Sequence, residues 1–503
     1  MNVLLIHPSC GFLAVPQSAP LGLMSIATYL KQHGCPVRVY DRNVEKLSIE
    51  EVIRQFRPDA VGLAVITMIH LRDGVAVSRQ FRKEEIPVIW GGHMATSIPE
   101  MVLREDAADY VVLGEGEITF YELLRAIEGK GDTAQIKGVA YKDPSGVVRR
   151  TPEREFADLM DFPIINWSLI DPRKHFAPRV GCKKMLFLYS SKGCPGRCAF
   201  CFNEGYHRCK WRKRPNEYVI SEIKELVSKH GLDGVYFADE MFGLNKKEMY
   251  DLCNRLRDLE PRIIWGCDTR LGHMNRDDLQ LMYDSGCRWI YYGVESGSPE
   301  MLERIHKGID LETIDRDIAY CREIGISSHC GIIIGLPDET EAQLRNSTRL
   351  LLRLDPNFVA AVPFLPMPGS EFWNELLDSG RLTPPQTLEE WADVVPHTGL
   401  FANFSNVPAR DLRVVQSFFF WRSFFRKNTQ KGASRYEFAF DTIAVSLRHI
   451  FQQGLFNMIK YVFSSGKLFL TIAWYAHAYP AIRKKYGLYA KKRASHFVKE
   501  IAK

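Results

Sequence analysis

Short apolar runs, separated by stretches of helical periodicity, recur through the first ~130 residues, and this alternation restricts the fold more than any other feature. Val3–Ile6, Val37–Tyr40, Ala60–Val65, Pro87–Trp90 and Tyr110–Leu113 read as strands, with Leu21–Lys31 as one of the helices between them. Uninterrupted apolar runs belong to strands covered on both faces. The expectation is therefore a doubly wound, Rossmann-like α/β domain over residues 1–135. Ligands bind such sheets beyond the carboxyl ends of the strands. Those ends carry His7-Pro8, Asp41-Arg42, Thr67, Gly91-Gly92-His93 and Gly114-Glu115-Gly116-Glu117, whose glycines let a ligand approach the backbone closely. Each alone also reads as an ordinary tight turn; as a set they favour a ligand.

Residues 136–184 read as a hairpin and linker. Gly138–Tyr141 and Val147–Arg149 flank a turn at Asp143-Pro144-Ser145-Gly146, and 152–185 is proline-rich without a sustained period. At 503 residues the chain is too long for one ordinary core, and 46% hydrophobic with 25% charged residues is a globular composition. The net charge of +6 is too mild to suggest nucleic acid. Met1–Ile6 reads as a buried strand, not as a signal peptide. Twelve cysteines in that context point to a reducing, cytoplasmic setting, where metal or redox use outranks disulfides.

Three of those cysteines crowd into SSKGCPGRCAFC, residues 190–201. Cys194, Cys198 and Cys201 have C-x3-C-x2-C spacing, and Gly193, Pro195 and Gly196 favour an irregular loop in which sulfurs converge where a helix would splay them. A structural zinc site normally takes four protein ligands, and Cys209 offers a fourth thiol that keeps this reading open. An iron–sulfur cubane can be held by three thiolates with one iron left free.

With Phe200 before the last cysteine and Asn203 after it, the motif resembles that of the radical S-adenosylmethionine (SAM) enzymes. The resemblance implies a [4Fe-4S] cluster on the three thiolates, chelation of the open iron by the methionine part of SAM, and cleavage to a 5′-deoxyadenosyl radical. It covers residues 185–385, where Leu186–Tyr189, Gly234–Ala238, Ile263–Gly266, Trp289–Gly293, Cys330–Ile334 and Phe358–Val362 read as strands of a partial (β/α) barrel. Polar residues follow these strands where barrel chemistry sits: Asp239-Glu240, Asp268-Thr269-Arg270 and Glu295-Ser296. Gly293–Gly297 resembles the family segment that holds the SAM ribose and carboxylate. Gly331–Gly335 with Glu339 resembles the strand along the adenine, and Phe364–Ser370 the segment that closes near the base. The SAM-binding residues thereby implied are Phe200, Asp239, Arg270, Glu295, Ser296, Gly335 and Pro366.

A doubly wound domain ahead of such a barrel resembles the cobalamin-binding class of these enzymes. Pro20-Leu21-Gly22, Gly91–Thr96 and Gly114–Glu117 look like that class, which implies Gly22, Thr67, Gly91, Gly92, His93, Thr96, Gly114, Glu115 and Gly116 at the cobalamin. One departure stands out. The D-x-H-x-x-G motif that elsewhere supplies a histidine to cobalt is absent, since Arg42-Asn43 follows Asp41; His93 reads as a loop or phosphate contact rather than a cobalt ligand. Within the class the commonest chemistry is methylation of an unactivated carbon, here of a small or lipid-like metabolite. Cyclisation, ring contraction or oxidation on the same architecture is the alternative. An external electron donor of flavodoxin or ferredoxin type is implied, and no residue is singled out as catalytic.

Residues 386–503 read as mainly helical. Asp411–Lys427 carries Val414, Phe418, Trp421 and Phe425 on one stripe, with Phe419, Phe420 and Phe424 beyond it. Leu468–Ile482 is largely apolar but short of the ~20 residues a bilayer needs. Arg483-Lys484-Lys485 and Lys491-Lys492-Arg493 follow it. Two readings stand: a helical cap on the barrel, or an interfacial segment in peripheral contact with a membrane.

Overall fold

The structure, a computed structural model, describes residues 1–11, 18–179, 181–394, 402–425 and 470–488. Two seven-stranded sheets dominate it. The first contains β1 (Val3–His7), β2 (Val37–Asp41), β3 (Ala60–Ala64), β4 (Val88–Gly91), β5 (Tyr110–Val112), β6 (Val139–Lys142) and β7 (Val148–Arg150), in the order β2-β1-β3-β4-β5-β6-β7. Strands β1 to β5 are parallel, so the chain leaves β1 toward both sides and opens a crevice at the carboxyl ends of β1 and β3. The first five strands match the sequence expectation to within a residue. The expected hairpin is present too, but it continues the first sheet antiparallel to β5 and is no separate unit.

The second sheet holds β8 (Ala177–Arg179), β9 (Cys182–Leu188), β12 (Gly234–Phe237), β13 (Ile264–Thr269), β14 (Cys287–Glu295), β15 (Ser327–Ile334) and β16 (Phe358–Pro363). Its six strands from β9 onward are parallel, and the sheet curls through 239°, an open partial barrel. A small ribbon, β10 (Ser191–Lys192) against β11 (Arg212–Lys213), stands apart from it. Several barrel strands run longer than their apolar runs: β9 begins at Cys182 rather than Leu186, and β15 at Ser327 rather than Cys330. Ladder pairing needs only backbone, so Ser327 and Ser328 pair with Trp289 and Ile290 without an apolar signature.

The region expected to be a linker is a packed strap. Residues 152–185 contain three short 3₁₀ turns, all of β8 and the start of β9. Trp167 is fully buried and donates its indole N–H to Glu222 Oε1 at 2.7 Å, while Arg214 reaches Glu222 Oε2 at 2.8 Å. Glu222, on helix Asn216–His230, thus ties the strap to the barrel wall.

The segment after the barrel also departs from expectation. Helix Leu388–Asp393, read as part of a cap on the barrel, packs instead on helix Leu71–Lys83 of the first domain, where Leu388 N–H donates to Glu105 Oε1 at 2.8 Å. Trp391 stacks on Trp373, so one apolar cluster runs from the first sheet to the end of the barrel. Helix Ala409–Phe424 does cap the barrel: Leu412, Val414, Val415, Phe418 and Phe419 are buried against it. Residues 470–478 and helix Pro480–Lys485 lie against that cap, and Lys485 points inward to Asp411 at 2.9 Å. Phe425 ends the described cap; Lys427, Leu468 and Lys491-Lys492-Arg493 fall outside the described residues. No described helix is long and apolar enough to cross a membrane.

Replacing Glu222 by Ala leaves the Arg214 guanidinium and the Trp167 indole N–H buried without their acceptor. The expected loss is about 3–5 kcal/mol, read as a lower midpoint in chemical denaturation. An unchanged midpoint would show that the strap is not anchored there.

Candidate functional site

The cysteine loop is closed at its base by the β10–β11 ribbon and clamped from behind by β12. Asp239, at the end of β12, is buried and accepts from Ser190 N–H (2.7 Å), Ser190 Oγ (2.6 Å) and Ser191 Oγ (2.5 Å). Burial pushes its carboxyl up to about 6 against those hydrogen bonds. Glu240 beside it accepts Gly193 N–H at 2.8 Å and lies 3.0 Å from His207 Nε2. Gly193 has φ +84°, and a Cβ there would collide with the Lys210 carbonyl oxygen, so only glycine fits this turn. Asn203 closes the loop by donating to Cys194 O at 2.7 Å and Gly196 O at 2.9 Å.

All three motif thiols are free and half-buried. Burial raises the Cys198 thiol and pushes Cys201 up to about 11, so thiolates here need a bound cation. Among the described residues no three His, Cys, Asp or Glu side chains gather as ligands of a single metal ion. Cys209, the candidate fourth zinc ligand, instead turns its thiol to Gly196 O at 3.6 Å. A multi-iron cluster distributes its thiolates over separate irons, and Cys194 and Cys198 sulfurs stand to either side of Gly196, 3.3 and 3.9 Å from where a Cβ would be. Three soft thiols on an irregular loop suit such a cluster.

Glu295 ends β14 at a bulge, with φ +62°, a conformation that costs a side-chain-bearing residue about 1–2 kcal/mol. The kink turns its carboxylate back over Gly293 and onto Lys307 Nζ at 2.9 Å. Lys307 is buried; Arg270 donates to its carbonyl and to Gly308 O. Glu295, Lys307 and Arg270 are the charges that act on Cys198. Ser296 is not part of this group: it is buried, 3.2 Å from Ser347 Oγ. Gly335 N–H donates to Glu339 Oε2 at 2.7 Å, and Glu339 Oε1 is buried with no partner among the described residues. Phe200 is half-buried and Pro366 buried on the loop after β16.

A cavity of about 460 Å³ lies between the carboxyl ends of the first sheet and the segments that flank the cysteine loop, Ser191-Lys192 before it and Tyr206-His207 after it; the three motif cysteines do not line it. Gly22, Gly91, Gly92, His93, Gly114, Glu115 and Gly116 line it, seven of the nine residues expected at the cobalamin. Thr67 and Thr96 line a smaller cavity beside it. Gly92 has φ +98°, and a Cβ there would come within 2.9 Å of Val65 O. From the barrel side come Tyr189, Lys192, Tyr206, His207 and Glu240. Lys192 stands 3.3 Å from Glu117 and 3.6 Å from Glu115, Arg212 reaches Glu115 at 2.5 Å, and Tyr206 OH donates to Gly114 O at 3.1 Å. His93 packs edge-on to Tyr206 (3.8 Å) and beside Phe202 (4.7 Å), and burial pulls it down to about 4, so it is neutral.

Lys192, Tyr206, His207 and Lys307 were absent from the sequence-derived site, and Glu240 was read only as a polar residue after its strand. The aromatic and histidine pair just past Cys201 was a readable signal; nothing in the spacing marks Lys307, which reaches Glu295 only through the bulge.

Residues 188–351 match the radical SAM superfamily and residues 14–124 the B12-binding domain. An uncharacterized methyltransferase of Pyrococcus horikoshii is 31% identical over 370 residues, 72% of this chain and 79% of that one. An anaerobic magnesium-protoporphyrin IX monomethyl ester cyclase of Rubrivivax gelatinosus is 26% identical over 392 residues, 75% of this chain and 70% of that one. The solved structure of the radical SAM methyltransferase TsrM of Kitasatospora setae, with tryptophan and a SAM analogue bound, superposes with a TM-score of 0.67 at 19% identity, covering 92% of this chain and 99% of that one. The chain belongs to the radical SAM superfamily of enzymes, in its cobalamin-binding class.

Burial pushes Glu339 up to about 8, against hydrogen bonds from Gly335 and Leu336. Its folded-state value is raised, so the stability it contributes is complete below its ordinary value of 4.5 and is lost as pH rises through 8. Glu339→Gln, permanently neutral, is expected to abolish this dependence. Across that window the wild type should lose about 1.4 kcal/mol per pH unit relative to the variant, measured by denaturation at stepped pH; parallel curves would contradict the assignment.

Proposed function

We propose that this enzyme is a cobalamin-dependent radical SAM methyltransferase that methylates an unactivated carbon of a small or lipid-like metabolite. In this reading residues 1–135 carry the cobalamin and residues 185–385 the cluster and SAM. The supporting observation is the shared cavity: the glycine turns of the first sheet and the loop after the cysteines form opposite walls of one space. A substrate there has both cofactors within reach, which methyl transfer requires.

Cys194, Cys198 and Cys201 would hold the cluster, and Gly91, Gly92, Gly114 and Gly116 leave room for the corrin against the backbone. When bound, the cluster supplies the electron that cleaves SAM, and the cobalamin supplies the methyl group. The protein's own work is positional. Glu295, held by Lys307, presents a fixed carboxylate beside Cys198 for the polar end of SAM. Asp239 is a positioning residue whose three hydrogen bonds set the strand that leads into the cysteine loop. Glu240 ties Gly193 to His207, so the loop and the cavity wall keep one geometry. An electron donor of flavodoxin or ferredoxin type has access where Arg197 is exposed beside the cysteines. The interfacial reading of the last helices is weaker, because Lys485 is spent on Asp411 and Glu341; Leu470 and Trp474 remain exposed there.

Cys198→Ala should eliminate 5′-deoxyadenosine formation, and Gly193→Ala should sharply lower the iron retained after anaerobic reconstitution while thermal unfolding stays cooperative. With substrate, the wild type should release S-adenosylhomocysteine together with 5′-deoxyadenosine. Release of 5′-deoxyadenosine alone would replace methyl transfer by cyclisation, ring contraction or oxidation.

A further inference from the structure

The inner face of the second sheet carries polar side chains that the reading above leaves unused. Asp268, Tyr291, His329 and Phe358 are successive register partners on β13, β14, β15 and β16, so they form one row on one face of the sheet. The residues that alternate with them, among them Cys267, Ile290, Tyr292 and Cys330, are buried in the core with the surrounding helices; Tyr292 OH meets Cys321 of helix Leu311–Ile324 at 3.4 Å. The row therefore faces the concave side. Two residues farther along their strands, about 6.5 Å nearer the carboxyl ends, stand the register partners Gly293 and Gly331. A Cβ on Gly293 would meet the Glu295 carboxylate, and one on Gly331 the Tyr291 hydroxyl, so the row lies beneath Glu295 on the same face. Below the row, Trp289 is buried and stacks on Tyr236, which closes the floor.

These groups are short of partners. Tyr236 donates its hydroxyl to Asp268 Oδ1, and His329 Nε2 stands 3.3 Å from Ser327 Oγ. Asp268 Oδ2, the Tyr291 hydroxyl and His329 Nδ1 have no hydrogen bond among the described residues, and all three side chains are only partly buried. They line a deep opening instead of being packed shut. Arg179, on β8, acts electrostatically on Asp268, Tyr236 and His329 alike, and its guanidinium has no ion pair or hydrogen bond among the described residues. Burial, with the charge of Asp239, pushes the Asp268 carboxyl up to about 7 against the Tyr236 hydrogen bond. Burial, with Arg179, pulls His329 down to about 3, so it is neutral. The one charge fixed at neutral pH in this group is the Arg179 cation.

We propose that this row is the head-group site of the substrate and takes an anion, a carboxylate or a phosphate, with Arg179 as counter-charge and the Tyr291 hydroxyl and His329 as hydrogen-bonding partners. The inference rests on the methyltransferase reading and narrows its substrate class. An uncharged lipid seated here would leave the cation and the polar row without partners. The rest of an anionic substrate extends past Gly293 and Gly331, where side chains are absent, toward Glu295. A cationic head drawn by Asp268 is the rival, but Arg179 faces it from β8.

The test is calorimetric titration of the full chain, its cluster reconstituted and saturated with SAM in the absence of reductant. The probes are hexanoate, hexyl phosphate, hexanamide and hexylamine, which share one alkyl chain and differ in head group. At least one of the two anions should bind about tenfold or more tighter than hexanamide, and the tighter anion names the head group. Arg179→Gln should bring it down to the level of hexanamide, and Arg179→Lys should restore part of the preference. Equal binding of anions and hexanamide, no binding of any probe, or a preference unchanged in Arg179→Gln overturns the proposal. So does a preference for hexylamine, which assigns an amine to Asp268. The comparison on the wild type stands whether or not the variants fold. Release of S-adenosylhomocysteine, measured separately, tests the methyltransferase reading, so either can fail alone.

Discussion

Lys192 between Glu115 and Glu117 is the contact on which the site depends. It lies one residue before the glycine turn that opens the cysteine loop, and its two acidic partners belong to the last glycine turn of the first sheet. Arg212, the ribbon partner of Lys192, adds a second bridge to Glu115. Two cations thus meet two carboxylates in a largely buried interface. Such pairs add little net stability over apolar packing, but removing one member leaves a buried charge exposed to no counter-charge. Their consequence is register: the glycine turns at the carboxyl ends of the first sheet are held at a fixed distance from the ribbon beside the cysteine loop, and the space left there is the cavity.

Around that join the chain adds redundant ties. Tyr206 holds Gly114 by its hydroxyl, the strap through Trp167 follows the barrel wall, and helix Leu388–Asp393 returns from beyond the barrel to the first domain. The two domains are therefore sewn together at the site and at a second, apolar seam. A radical enzyme benefits from this, because its reacting atoms must stay aligned while water is kept out.

Much of this was legible in the sequence. The doubly wound sheet and the barrel strands follow from apolar runs, features that are local in the chain, and seven of the nine residues that the resemblance implied at the cobalamin line the cavity. What was missed depends on long-range contacts. The strap 152–185 carries no period because its residues pack singly, Trp167 by one indole hydrogen bond. Lys307 becomes a partner of Glu295 only because a bulge turns the glutamate backward. Asp239 and Ser296 sit at the expected strand ends, yet their side chains are occupied by serines of neighbouring segments.

The central claim is that cluster and cobalamin share one cavity. The direct measurement is the magnetic coupling between cob(II)alamin and the reduced [4Fe-4S] cluster in doubly reconstituted protein, by pulsed electron paramagnetic resonance. Opposite walls of one cavity predict a cobalt signal that is broadened and fast-relaxing only when the cluster is reduced. A cobalt signal indifferent to the redox state of the cluster would place the two centres apart and contradict the account.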